Sequence, residues 1–153
     1  ALVDRVARSE WTKPVYLAVT VAQAYSSACD RALECEGLLW RVTTRPRTEG
    51  EDPMNAARTL ALFRRELRLD SATDPAYPWS QQSSDRGLVL NYAVMLQLLA
   101  PKLVETGDRP SAAFALDRAI RILDFHGETD RVRQLARYWK DMDPESHEAD
   151  RWL

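Results

Sequence analysis

Residues 84–124, SDRGLVLNYAVMLQLLAPKLVETGDRPSAAFALDRAIRILD, constrain the fold more than any other stretch. Leu88, Val89, Tyr92, Leu96, Leu99 and Leu103 recur at helical intervals and predict one apolar helix face. Ala112, Ala113, Leu116, Ala119, Ile120 and Leu123 do the same for a second helix. Between them Gly107 stops the first helix and Pro110 starts the second. Two amphipathic helices joined so closely bury their apolar stripes against each other. The rest of the chain either continues this hairpin or leans on it.

A chain of 153 residues reads as a single domain over 1–153, long enough to bury roughly 70% of its unfolded surface without a metal or disulfide staple. Twenty-one Lys and Arg against 23 Asp and Glu give a net charge of -2. That balance argues against a nucleic-acid partner, which needs a basic surplus on one face. Starting at Ala1, the chain reads as a fragment or processed product. No apolar run reaches the roughly 18–20 residues of a membrane helix. The nearest, Leu88–Ala100, is interrupted by Asn91 and Gln97, so no transmembrane segment is expected.

The N-terminal part, residues 1–48, reads as a strand–helix–strand unit. Leu2, Val3 and Val6 mark the end of a helix. Val15–Val21 is a continuous apolar run of strand type, expected to be buried on both faces. Asp30–Glu36 reads as a short helix capped by Asp30 and ended by Gly37. Residues 38–44 form the second strand. A lone strand leaves its backbone amides unsatisfied, so the two runs should pair, and the short link favours an antiparallel pair. Residues 45–53 are a polar loop. A helix then starts at Pro53 with Asp52 as cap and runs to Leu69, with Arg58, Arg64, Arg65 and Arg68 on its outward face. Residues 53–153 form the helical region. The long helix ends near Glu105 and spans about 33 Å if unbroken, with Pro101 placed to kink it. A further helix covers 128–142, and a short one ends the chain. The expected fold class is therefore mostly α with a small two-stranded β unit.

The helices share a period. Leu99, Ala100 and Leu103 recur as Leu135, Ala136 and Trp139, 36 residues later. This resembles the tetratricopeptide repeat, whose period is about 34, with small residues at helix crossings. Ala100, Ala112 and Ala119 match those small positions. Leu96 and Leu103, where that repeat carries larger aromatics, and Pro101 depart from it. An ordinary alanine-rich helical hairpin is the alternative.

Two further motifs are more specific. Trp11-Thr12-Lys13-Pro14-Val15-Tyr16-Leu17-Ala18-Val19-Thr20 is followed by Leu33-Glu34-Cys35-Glu36-Gly37-Leu38-Leu39-Trp40-Arg41-Val42. Together they resemble the soluble C-terminal part of large bacterial membrane proteins. The multi-pass region of those proteins is similar to protein O-mannosyltransferases and other transferases using lipid-linked sugars. The resemblance implies a periplasmic, membrane-associated domain. It implies no catalytic residue here, because the acidic catalytic residue of such proteins would lie in membrane-side loops that this chain lacks.

The residues themselves offer no catalytic set and no cofactor motif. His126 and His147 have no partner at metal-ligand spacing, and His126 beside Gly127 reads as a charge partner for a helix C-terminus. Asp141-Met142-Asp143 could be cast as a metal-holding triplet, but ends a helix before Pro144. Glu34 and Glu36, on a short helix, would point apart into solvent. Cys29 and Cys35 read as two thiols or, in an oxidising compartment, a disulfide. The candidate interface residues are Arg58, Arg64, Arg65 and Arg68, as a solvated face or a contact for an acidic partner or lipid headgroups. Tyr77, Trp79 and Trp152 join them, as covers of the core edge or exposed anchors. The expected function is a non-catalytic interaction or scaffold domain on the periplasmic side of a membrane protein or complex. The alternative is an acceptor- or sugar-binding domain of a membrane glycosyltransferase.

Overall fold

A computed structural model describes residues 13–19, 32–45, 47–76 and 83–153. The protein is mostly helical with a small three-stranded antiparallel sheet. Its contacts divide the chain into two compact units, Ala1–Arg65 and Glu66–Leu153.

In the first unit, β1 (Tyr16–Ala18), β2 (Leu33–Glu36) and β3 (Leu39–Val42) lie in the order β1-β3-β2. The antiparallel pairing expected of the two apolar runs is present, with Tyr16 opposite Arg41, Leu17 opposite Trp40 and Ala18 opposite Leu39. Three expectations fail. Of the segment read as a helix, Leu33–Glu36 is β2 while Asp30 and Arg31 lie outside the described residues, so the sheet has three strands and not two. Gly37 does not end a helix. With φ at +64° it takes the first of two loop positions between Glu36 and Leu39, where primed hairpin turns need positive φ. Nor is β1 buried on both faces: Tyr16 and Ala18 are exposed and Leu17 is half-buried. The inward face collects Leu33 and Val42 with Val15, Leu17 and Trp40 packed against them.

The helix α1 (Ala56–Arg65) begins three residues later than the sequence predicts. Asp52 accepts a hydrogen bond from Met54 N–H at 2.8 Å and shapes the approach, but Asn55 is the cap, its Oδ1 accepting from Arg58 N–H at 3.0 Å. The backbone on either side of Met54 pairs with β2: Cys35 N–H donates to Pro53 and Asn55 N–H to the Cys35 carbonyl. Thr59, fully buried on α1, accepts from Gly37 N–H at 3.0 Å and so ties helix to hairpin. The helix stops at Arg65. Arg68 therefore lies outside it, ahead of a 3-10 turn at Leu69–Thr73.

Cys35 is a free, buried thiol; Cys29 lies outside the described residues. Burial, and then the charges of Asp52 and Glu36, push the Cys35 thiol up to about 11 from 9.0. The folded protein keeps this proton over a window in which the unfolded chain releases it. The contribution is thus full below pH 9 and lost as pH rises toward 11. Denaturation measured against pH should show the parent losing stability more steeply between pH 9 and 11 than Cys35→Ala. Equal slopes would contradict the assignment.

The second unit holds α2 (Ser83–Glu105), α3 (Arg109–Phe125), α4 (Thr129–Met142) and α5 (His147–Asp150). The predicted stop and start between α2 and α3 are where the sequence places them. Asp108 N–H bonds the Leu103 carbonyl at 2.8 Å and Gly107 N–H bonds that of Val104 at 2.9 Å. Asp108 then caps α3 by accepting from Ser111 N–H at 3.1 Å. The same turn recurs after α3, where Glu128 N–H bonds Leu123 and Gly127 N–H bonds Asp124, both at 2.9 Å. Ala100, Ala112 and Ala119 are fully buried, as are Leu96, Leu99, Leu116, Ile120 and Leu123. Leu88, predicted on the buried face, is exposed. Pro101 sits inside α2, which continues past it.

Trp139 is buried, and among the described residues its indole N–H has no hydrogen-bond partner. An orphaned buried donor costs about 1–3 kcal/mol. Trp139→Phe removes that cost while opening a small void, so its stability should stay within about 1 kcal/mol of the parent. Trp139→Ala should lose about 3–5 kcal/mol in chemical denaturation.

Candidate functional site

The outward face of the sheet in the first unit gathers charge and apolar surface. The register places Tyr16, Arg41 and Glu34 in one row and Ala18, Leu39 and Glu36 in the next, all on that face. Tyr16 and Leu39 are each 42% exposed. Glu36, expected in solvent, keeps only 7% of its side chain exposed. Arg41 Nη1 donates to Glu36 Oε1 at 3.3 Å, and Arg58 Nε lies 4.0 Å from Oε2. One shielded carboxylate is thus bracketed by two half-exposed guanidiniums. Glu34 accepts from Asn55 Nδ2 at 3.3 Å.

On α1 the helical period sets Arg58, Arg64 and Arg65 on one exposed arc with Ala57, opposite the buried Thr59 and Phe63. Three of the four predicted arginines therefore share a face. Arg68 is exposed but belongs to the other unit, so it does not extend that helix face. Trp152 is half-buried at the chain end, and Tyr77 and Trp79 lie outside the described residues. Sequence reading missed Tyr16, Leu39, Arg41 and Glu36 as a group. The signal was present: alternation of Leu33 and Cys35 against Glu34 and Glu36 is strand periodicity, and reading it so puts these side chains together.

In the second unit, His126 Nε2 is 3.2 Å from the Ala72 carbonyl, and its ring meets Phe125 edge to face. Arg118 reaches Asp70 at 2.9 Å, so the 3-10 turn is held along α3. Arg86 at the start of α2 donates to the His126 carbonyl and to Glu128. These contacts give His126 a packing role that its place at a helix end alone does not reveal. His147 is exposed. A shallow groove of about 480 Å³ runs along the outer side of α4, lined by Asp130, Arg133, Gln134, Arg137, Tyr138 and Asp141. Asp141 belongs to this open wall. Among the described residues no group of three His, Cys, Asp or Glu side chains could hold a metal ion.

On the outward sheet face of the first unit the exposed Tyr16 and Leu39 adjoin two half-exposed guanidiniums that pair with Glu36. No family model matches the chain, and no curated protein or solved structure matches it.

Proposed function

We propose that the chain is a non-catalytic interaction domain, with tetratricopeptide-like helical hairpins, that docks on a membrane protein or membrane complex on the periplasmic side. The observation that carries the reading is the repeated element in the second unit. Two successive helix–helix turns have the same hydrogen-bond pattern around Gly107 and Gly127, and the crossings beside them bury alanines at 100, 112 and 119. Stacked hairpins of this kind bury one side against their neighbours and offer the other to a partner. The likeness of residues 11–20 and 33–42 to the soluble part of O-mannosyltransferase-like membrane proteins supports the membrane setting. Described residues of both motifs pair within one sheet.

The test is capture from membranes. The full chain, immobilised and exposed to detergent-solubilised membranes of its source, should retain a membrane protein in stoichiometric amount. Recovery of none would overturn the reading. Glycosyl transfer by the 153 residues alone would overturn its non-catalytic part.

A further inference from the structure

We propose that the peptide bond between Arg65 and Glu66 is a cleavage site for an endoprotease of trypsin type, which takes an arginine or lysine side chain into an acidic pocket. Cleavage there divides the chain at the boundary of its two compact units, Ala1–Arg65 and Glu66–Leu153. The inference goes beyond the interaction-domain reading and does not depend on it.

Such a protease needs two things at one place. The cationic side chain must be exposed, and the backbone around it must open into an extended strand at low cost. Among the described residues up to Asp150, the other arginines and lysines fail one condition or both. Lys13, Arg45 and Arg109 each precede a proline, at positions 14, 46 and 110. A proline after the scissile bond has a fixed φ and no N–H, and proteases of this type do not cut there. Arg47 is held in place. Its Nε donates to the Leu33 carbonyl and its Nη1 to that of Glu51, both at 2.9 Å, and the next N–H, of Thr48, donates to Glu51 Oε2. Arg41 lies on β3, between two paired strands. The remaining cations from Arg86 to Lys140 lie within α2, α3 and α4, where a cut requires the helix to unwind around it. Arg58 lies within α1 in the same way.

Arg65 meets both conditions. It is the last residue of α1, and Arg64, Arg65 and Glu66 are all exposed. The last carbonyls of a helix lack intrahelical partners, so its final turn opens more readily than its middle. The longer helices close that weakness. The glycine turns at 107 and 127 staple the ends of α2 and α3, and Asp143 N–H bonds the Trp139 carbonyl at the end of α4. After α1 the chain reads Glu66-Leu67-Arg68, with no glycine to make such a turn. Arg68 is a poorer site than Arg65. Its carbonyl accepts from Ser71 N–H at 3.2 Å and from Ser71 Oγ at 2.7 Å, and the residue after it, Leu69, is buried. In the reaction the bond from the Arg65 carbonyl carbon to the Glu66 nitrogen breaks. One water supplies the hydroxyl to the carbon and the proton to the nitrogen, leaving a carboxyl group on Arg65 and an amine on Glu66.

The experiment digests the full chain with a small amount of trypsin and reads the fragments over time by intact mass and N-terminal sequence. Within residues 47–150 the earliest new N-terminus should be Glu66, and the fragment beginning there should outlast the parent. Arg64→Gln/Arg65→Gln alters only exposed side chains and should slow cutting anywhere in that range about tenfold. Arg68→Gln should leave the cut before Glu66 unchanged. If the double variant does not fold, the parent alone decides: a lysine-specific protease should leave residues 47–150 whole over the time in which trypsin cuts before Glu66. An earliest cut elsewhere in that range, loss of the parent with no fragment beginning at Glu66, or equally fast cutting of the folded double variant would overturn the proposal. So would loss of the cut before Glu66 in Arg68→Gln, or cutting at that pace by the lysine-specific protease.

Discussion

Leu116→Ala should destabilise the helical unit by about 3–4 kcal/mol, enough to lower the denaturation midpoint sharply. Leu116 lies in the middle of α3 and is fully buried, in register with Ala112, Ala119 and Ile120, which are buried to the same degree. Fully buried alanines on either side leave little freedom for neighbours to refill the space that Leu116 vacates. A cavity at so closely packed a position puts the cost in the middle of the usual range for this substitution. Leu98→Ala is the matched control. Leu98 is more than half exposed on the opposite side of α2, so its loss should change stability by about 0.5 kcal/mol or less. Equal effects of the two substitutions, measured by urea denaturation, would mean that α2 and α3 do not pack as described.

Gly37→Val should cost about 3 kcal/mol through a different mechanism. Positive φ is unfavourable for any residue with a Cβ by about 1–2 kcal/mol, and a β-branched side chain is worse placed. The added Cβ would also lie 3.1 Å from Leu62 Cδ1, so the Leu62 side chain must shift by a few tenths of an ångström beside the Thr59–Gly37 hydrogen bond. Gly50 separates the two contributions. Its φ is +84° with no atom within 4 Å of an added Cβ, so Gly50→Val should cost only the backbone strain, about 1–2 kcal/mol. If the two variants unfold at the same midpoint, the contact between hairpin and helix carries no weight.

How much of this was legible depended on whether a local signal had one meaning. Gly107 followed by Pro110 admits little besides a stop and a restart, and α2 and α3 lie as their periodicity predicts. Asp30 and Gly37 admitted two meanings. An acidic residue and a glycine bracketing a short segment fit a capped helix, and they fit equally a strand entering a tight hairpin. Tertiary pairing with β3 and with residues 53–55 decides for the strand, and pairing is not visible in a seven-residue window. That one error hid the site, because on a helix Glu34 and Glu36 diverge, whereas on β2 they share a face with Leu39 and Arg41. Asn55 displaced Asp52 as the α1 cap because Pro53 and Met54 are drawn alongside β2 before the helix can start. The spacing of Arg68 fits the arginine face of α1, but the helix ends at Arg65. Thr59 gave no sign of its role, since its partner is the amide of a distant turn.

The most direct test concerns α2. By length and composition its Arg86–Glu105 stretch could cross a membrane, with 39% of the apolar window buried inside the protein. This departs from the sequence expectation, in which Asn91 and Gln97 interrupt the apolar run. Against this, α2 packs on α3 through buried Ala100, Ala112 and Ala119, as a core helix does. Native-state hydrogen exchange of the full chain, in buffer and then with lipid vesicles, decides between these roles. In a core helix the amides of Leu96, Leu99 and Ala100 should exchange as slowly in buffer as those of Leu116 and Ile120, and vesicles should leave them unchanged. Fast exchange across α2 in buffer, with protection gained only when vesicles are added, would contradict that role.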